Sequence, residues 1–155
     1  MTGSEARATG ETLYSIDVLR MAASVADFPP LAAADAVEER RSPTCGSRMT
    51  VSLRLDDAGR VAAIGLDAKA CALGQAAAAI LAHGAIGADQ ASIEQASEAW
   101  RAYLAGESDA MPDWPELALL AAGRDYPARH PSMRLAFEAA TGAFADALAG
   151  RSTHG

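Results

Sequence analysis

Two side chains in this sequence could carry chemistry beyond ordinary solvation. They are Cys45 and Cys71, the only cysteines among 155 residues. Cys45 stands in the run Ser-Pro-Thr-Cys-Gly-Ser-Arg-Met at positions 42–49. Pro43 stiffens the approach, and Gly46 lets the backbone turn sharply without a Cβ penalty, so the thiol is presented rather than packed. Cys71 stands where a strand pattern gives way to an Ala-rich helical one. A thiol at a helix N-terminus meets the positive end of the helix dipole, which favours the thiolate that binds metal or accepts sulfur. The two are too far apart in sequence to form a local metal knuckle. What joins them is position: one precedes a strand and the other follows the return strand, so a meander brings both to one edge of a sheet. Taken as residues alone, each is equally the small, inert thiol that fills space in many cores.

The elements that must position these thiols are legible in the pattern. Residues 1–10 are small and polar and are expected to be disordered, and 11–23 form an amphipathic helix with Tyr14, Val18 and Met21 on one side. Pro29 and Pro30 forbid its continuation. Residues 36–41, Ala-Val-Glu-Glu-Arg-Arg, have the charged composition of an edge strand. Met49, Val51, Leu53 and Leu55 alternate with polar neighbours, Asp57-Ala58-Gly59 turns the chain, and 60–68 return, giving an antiparallel meander. A helix follows from Cys71 to about His83. Ser92 with Gln95 reads as a capping box, opening a helix that carries Ile93, Ala96, Trp100, Tyr103 and Leu104 on one face and ends near Gly106. Residues 107–115 are loop, with Trp114 closing over a core edge, and 116–122 form a short helix before a turn at 123–126. The last helix carries Met133, Ala136, Phe137, Ala140, Phe144 and Leu148 on a single stripe. Residues 150–155 read as a tail. The fold class is α+β: one domain over 11–149, with a small three-stranded antiparallel sheet covered on one face by helices.

Composition narrows the classes further. Apolar residues make up 50% of the chain but aromatics only 5%, which points to close-packed, Ala-rich helices. The formal net charge of −7 argues against nucleic acid, whose phosphates demand a basic face. Residues 70–88 carry no formal charge, yet Gly, Gln and His interrupt a run dominated by weakly hydrophobic Ala, so a membrane span is not expected. The N-terminus lacks a basic region followed by an apolar core, and the cytoplasm is the expected compartment. In a reducing compartment two cysteines are free thiols or metal ligands rather than a disulfide. There is no phosphate-binding Gly-Lys-Ser/Thr sequence, no Gly-x-Ser-x-Gly elbow and no His-Glu-x-x-His helix.

Pro-Thr-Cys-Gly-Ser-Arg-Met, the strand pair after it, Cys71 opening its helix and Pro-Ala-Arg-His-Pro-Ser at 127–132 together resemble the IscU/NifU/SufU-type iron-sulfur cluster assembly scaffold, over residues 13–148. In that family the first signature is Pro-x-Cys-Gly-Asp, a second Cys precedes a helix, and a third Cys follows a Pro-Ala-Arg segment at the start of the last helix. Here the Asp falls on Ser47 and the third Cys on Ser132. The resemblance implies a non-enzymatic assembly protein that binds an iron-sulfur cluster or iron, or accepts sulfur, through Cys45 and Cys71. Ser132 and His130 are the further candidate metal ligands, and Arg129 is placed to pair with an anionic cluster, sulfide or persulfide. A cysteine desulfurase or another assembly protein is the implied partner, with a homodimer compatible. Two alternatives stand beside it: a regulatory or protein-binding module without cluster assembly, and a zinc-dependent sulfur-transfer partner of the SufU type.

Two thiolates fill half of a four-ligand shell. The Ser132 hydroxyl does not ionise near neutral pH, and its alternative role is an N-cap for the last helix. His83 stands 12 residues after Cys71, roughly 18 Å along a continuous helix, and is excluded as a ligand on that ground. His154 falls in the tail.

Overall fold

The computed structural model describes residues 13–43 and 46–154; Cys45 and the expected disordered N-terminus at 1–10 lie outside the described residues. Strand β2 (Arg48–Leu55) is the centre of a three-stranded antiparallel sheet, flanked by β1 (Ala36–Arg41) and β3 (Val61–Lys69). Period-two alternation sends Met49, Val51, Leu53 and Leu55 into the core, none more than 5% exposed. β1 pairs with β2 from Ala36 opposite Leu53 to Arg41 opposite Arg48, and β2 with β3 from Arg48 opposite Lys69 to Leu55 opposite Val61. This register places the β1–β2 loop and the exit from β3 at the same end of the sheet.

Helix α1 (Ile16–Ala23) is capped by Ser15, whose hydroxyl accepts from the Val18 amide at 3.2 Å. It packs on α2 (Ala72–Ala85), which in turn packs on β3. α2 is apolar nearly all round, and its run from Ala76 to Ala82 is buried throughout; such a helix belongs inside, and its small side chains let neighbours approach closely. α3 (Gln90–Ala105) ends at Gly106 in the left-handed region, φ 79°. Its cap is Asp89, which accepts from the Ser92 amide at 2.9 Å, so the helix starts before the expected Ser92–Gln95 box. The segment read as a short helix at 116–122 is a 3₁₀ stretch, Leu117–Asp125. It opens at Glu116 with φ 69°, and such tight turns suit a short connector. A second 3₁₀ turn, Pro127–Arg129, leads directly into α4 (His130–His154).

α4 lies across β1 and β2 and against α2 and α3. Its stripe of Met133, Ala136, Phe137, Ala140 and Phe144 is fully buried, as the spacing predicts. The helix runs through position 150 to His154, and Arg151 donates to the carbonyls of Leu55 and Asp56 at 2.8 and 2.7 Å. The helices cover one sheet face, as expected. The other is partly closed by the chain at 28–31: the Leu31 amide donates to Ser52 Oγ at 3.1 Å, and a Cβ on Gly65 would collide with the Pro29 carbonyl. Trp114 does close a core edge, donating its indole N–H to the Ile80 carbonyl at 3.0 Å. Among the described residues no helix is long and apolar enough to cross a membrane.

Candidate functional site

Three elements meet at one end of the sheet: the β1–β2 loop, the junction of β3 with α2, and the first turn of α4. Cys71 is the N-cap of α2, in extended backbone at φ −66° and ψ 172°, and its carbonyl accepts from the Gln75 amide at 2.9 Å. Its side chain makes no capping bond, which leaves a half-buried free thiol. The sulfur lies 3.4 Å from Ser132 Oγ, and that hydroxyl lies 3.4 Å from Ser47 Oγ. Ser132 is 2% exposed and Ser47 6%. When the sulfur is a thiolate or holds a ligand it has no proton to give, so Ser132 is the donor.

This approach depends on a missing side chain. A Cβ on Gly74, in the first turn of α2, would meet Ser132 Oγ and would come within 2.7 Å of Ala70 Cβ. On the β1–β2 side, the Ser42 amide donates to the Ser47 carbonyl at 2.9 Å and the Gly46 amide to the Ser42 carbonyl at 3.2 Å. Gly46 takes φ 72°, which a Cβ would strain. Cys45 lies outside the described residues.

The start of α4 is fixed by contacts with the 3₁₀ stretch and α3. His130 Nε2 is 3.0 Å from both the Gly123 and the Arg124 carbonyls. Carbonyls only accept, so this nitrogen carries the proton and donates; it has no lone pair for a metal, and the imidazole serves as a staple. The Trp100 indole N–H donates to the Met133 carbonyl at 3.0 Å in the core, next to Ser132. Because α4 begins at His130, Ser132 is inside its first turn and is not the N-cap that its sequence position suggested. Pro131 is tolerated there, since first-turn amides have no partner within the helix. The structure therefore unites Cys71 and Ser132, adds Ser47, and ties His130 Nε2 elsewhere. Ser47 was visible in the sequence only as the missing Asp; its contact with Ser132 spans 85 positions. His83 is at the far end of an unbroken α2, with Nδ1 3.3 Å from Glu116 Oε1.

The charges at this end form a pattern. Arg41, Arg48 and Lys69 are register partners, one from each strand, in the last paired row before the site. Glu39 answers them: the hydrogen bond from Arg41 at 2.8 Å, then the positive fields of Arg41, Arg48 and Lys69, hold its carboxyl below the usual range. Because Met49 points into the core, its neighbour Arg48 and the paired Arg41 and Lys69 project from the other face of the sheet. Among the described residues, no three His, Cys, Asp or Glu side chains gather as a metal site.

No family model matches the chain, and no curated protein matches it. Solved structures do. A protein ascribed the role of iron-sulfur cluster assembly scaffold for the SUF system, from thermophilic Fervidobacterium islandicum AW-1, shares the fold at TM-score 0.73 and 16% identity, over 86% of this chain and 98% of that one. A nitrogen-fixing NifU-like protein (N-terminal) from Brucella abortus superposes at TM-score 0.83, over 91% of this chain and 98% of that one, with 31% identity. With that identity over nearly the whole of both chains, and with Cys71, Ser132 and Ser47 brought together where the signature segments meet, the chain belongs to the IscU/NifU/SufU-type family.

Proposed function

We propose that this protein acts in iron-sulfur cluster assembly as a non-enzymatic, scaffold-type member of its family, taking iron, a cluster or sulfur as cargo on Cys45 and Cys71. The observation that carries the reading is the state of Cys71: a half-buried thiol at a helix N-terminus, engaged by no cap bond and faced by a single hydroxyl. Cys71 packs against the edge of the hydrophobic core while its thiol stays partly open. Likeness to a NifU-like protein at 31% identity supports the same role. A cysteine desulfurase is the partner this role requires, and the cytoplasm its setting.

Sulfur acceptance is the second reading, favoured by the same half-buried, uncapped thiol. The Cys71 thiolate attacks the terminal sulfur of a desulfurase persulfide; a new S–S bond forms on Cys71, the old one breaks, and the desulfurase thiolate leaves. Ser132 is placed to donate to the sulfur that remains. For zinc, no three His, Cys, Asp or Glu side chains gather as a site among the described residues.

The test is anaerobic incubation with iron and sulfide, followed by metal and sulfide analysis and visible absorption, beside Cys45→Ala and Cys71→Ala. Bound iron and sulfide with thiolate-to-iron bands, lost in both variants, is the expected result. A parallel incubation with a desulfurase and cysteine, read by mass, detects a persulfide. If neither cargo binds, the chain keeps the fold as a protein-binding module and the proposal fails.

A further inference from the structure

The geometry points to a second chemical site, at the opposite end of α2 from Cys71: Ser24, His83 and Glu116 form a serine–histidine–carboxylate triad that hydrolyses small neutral carboxylic esters, with Ser24 as nucleophile. The three come from separate elements. Ser24 caps α1 and opens a 3₁₀ turn, His83 is in the last turn of α2, and Glu116 precedes the 3₁₀ stretch Leu117–Asp125. Ser24 Oγ is 3.4 Å from His83 Nε2, and His83 Nδ1 is 3.3 Å from Glu116 Oε1. Catalytic hydrogen bonds of this length tighten when substrate binds.

The proton positions follow from the partners. A carboxylate only accepts, so Nδ1 carries the ring proton, and in the neutral ring Nε2 is the acceptor that faces the hydroxyl. This is the arrangement a general base needs. Ser24 Oγ donates to the Met21 carbonyl at 2.6 Å, and its proton turns about the Cβ–Oγ bond to reach Nε2 without moving the oxygen. Phe28 packs on the imidazole, ring centroids 5.3 Å apart, and steadies it. Among the described residues Glu116 is the only non-glycine with positive φ, 69°. Such a conformation is costly and gathers at functional sites; here it belongs to the residue that orients the base.

All three side chains line one cavity of about 650 Å³. Met21, Ala118 and Leu119 give it an apolar wall suited to a short hydrocarbon group. Asp17 lines it beside Glu116, and two carboxylates repel an anionic substrate. Arg20, one turn before Ser24, lines it too and forms no ion pair with another described residue. Its guanidinium is the cation available to the ester oxygen on which negative charge develops. Ser24 Oγ bonds to the ester carbon as its proton passes to Nε2. The carbon–alcohol bond then breaks, and the alcohol leaves with that proton. Water attacks the acyl carbon, again giving a proton to Nε2, and Ser24 Oγ departs with it, freeing the acid.

Two probes test this on the full chain. The first is 4-nitrophenyl acetate, whose nitrophenol release should exceed the buffer rate and fall by at least about tenfold in Ser24→Ala and in His83→Ala. Glu116→Gln should lose less, because the amide oxygen still accepts from Nδ1. Cys71→Ala should be unchanged, which separates the serine from a thiol that esters also acylate. The second probe is a fluorophosphonate on the wild-type chain, which needs no variant: peptide mass mapping should place the adduct on Ser24. Nitrophenol release that survives Ser24→Ala, or a fluorophosphonate adduct absent or placed elsewhere, would overturn the inference and leave the proposed cargo role untouched.

Discussion

The two ends of α2 use the same device for different purposes. Each end has a glycine against which a side chain from elsewhere is pressed. At Gly84 the neighbour is Trp114, whose ring atoms Nε1 and Cε2 would be 2.7 and 2.8 Å from an added Cβ. At Gly74 it is the Ser132 hydroxyl. The first contact is closed: the indole is 8% exposed and its N–H is spent on the Ile80 carbonyl. The second leaves a thiol half open with a hydroxyl aimed at it. A glycine inside a helix costs about 0.5–1 kcal/mol relative to alanine, so both sites give up helix stability for a close approach. At one end that approach seals the core, and at the other it shapes the site.

The comparison can be broken by substitution, beginning with the largest expected effect. Trp114→Ala removes a buried indole and its hydrogen bond, and should lower stability by about 3–5 kcal/mol in urea unfolding. Iron content of the protein that remains folded should be unchanged, because the opposite end of the helix is untouched. Gly84→Ala drives a methyl into a rigid ring; overpacking of about 1–3 kcal/mol should outweigh the gain in helix propensity. Gly74→Ala meets a rotatable hydroxyl but also Ala70 Cβ, which has no torsion to yield by, so a loss of about 1–3 kcal/mol is expected there too. Its functional cost should be larger, since it pushes Ser132 from the sulfur. Combining it with Ser132→Ala should recover part of that loss, with a coupling of about 0.5–3 kcal/mol in a double-mutant cycle. Strict additivity would mean that the hydroxyl is not what Gly74 makes room for. Ser132→Ala alone should have the smallest effect on stability, about 0.5–1.5 kcal/mol, the net worth of an ordinary hydrogen bond. Its signature should be an altered alkylation rate of Cys71, which a hydroxyl remote from the sulfur would not produce.

What the sequence made legible was mainly local. The alternation of Met49 to Leu55 predicts the central strand, and the Ala-rich run after Cys71 predicts the helix that Cys71 caps. The misreadings are where local signals compete. Ser92 looks like a cap because Gln95 follows it, but Asp89 lies three residues earlier and takes the Ser92 amide itself. Ser132 looks like a cap because it is a serine just before the apolar stripe of the last helix, but the 3₁₀ turn Pro127–Arg129 runs straight into the helix and moves its start to His130. Two features had no local signal. The staple made by His130 depends on where an irregular segment puts two carbonyls, and the Ser47–Ser132 contact exists only because the register of β1 and β2 returns the chain beneath α4. The serines were noticed as absences of Asp and Cys; their pairing emerges only in three dimensions.

The central claim is that the thiols, and Cys71 at this corner in particular, hold the cargo. Iron-edge X-ray absorption of protein loaded anaerobically with iron and sulfide reads the ligand atoms directly. A first shell of sulfur in the wild-type chain, lost in Cys71→Ala, is the result predicted. A shell of oxygen and nitrogen, or a sulfur shell that Cys71→Ala leaves unchanged, would contradict the account.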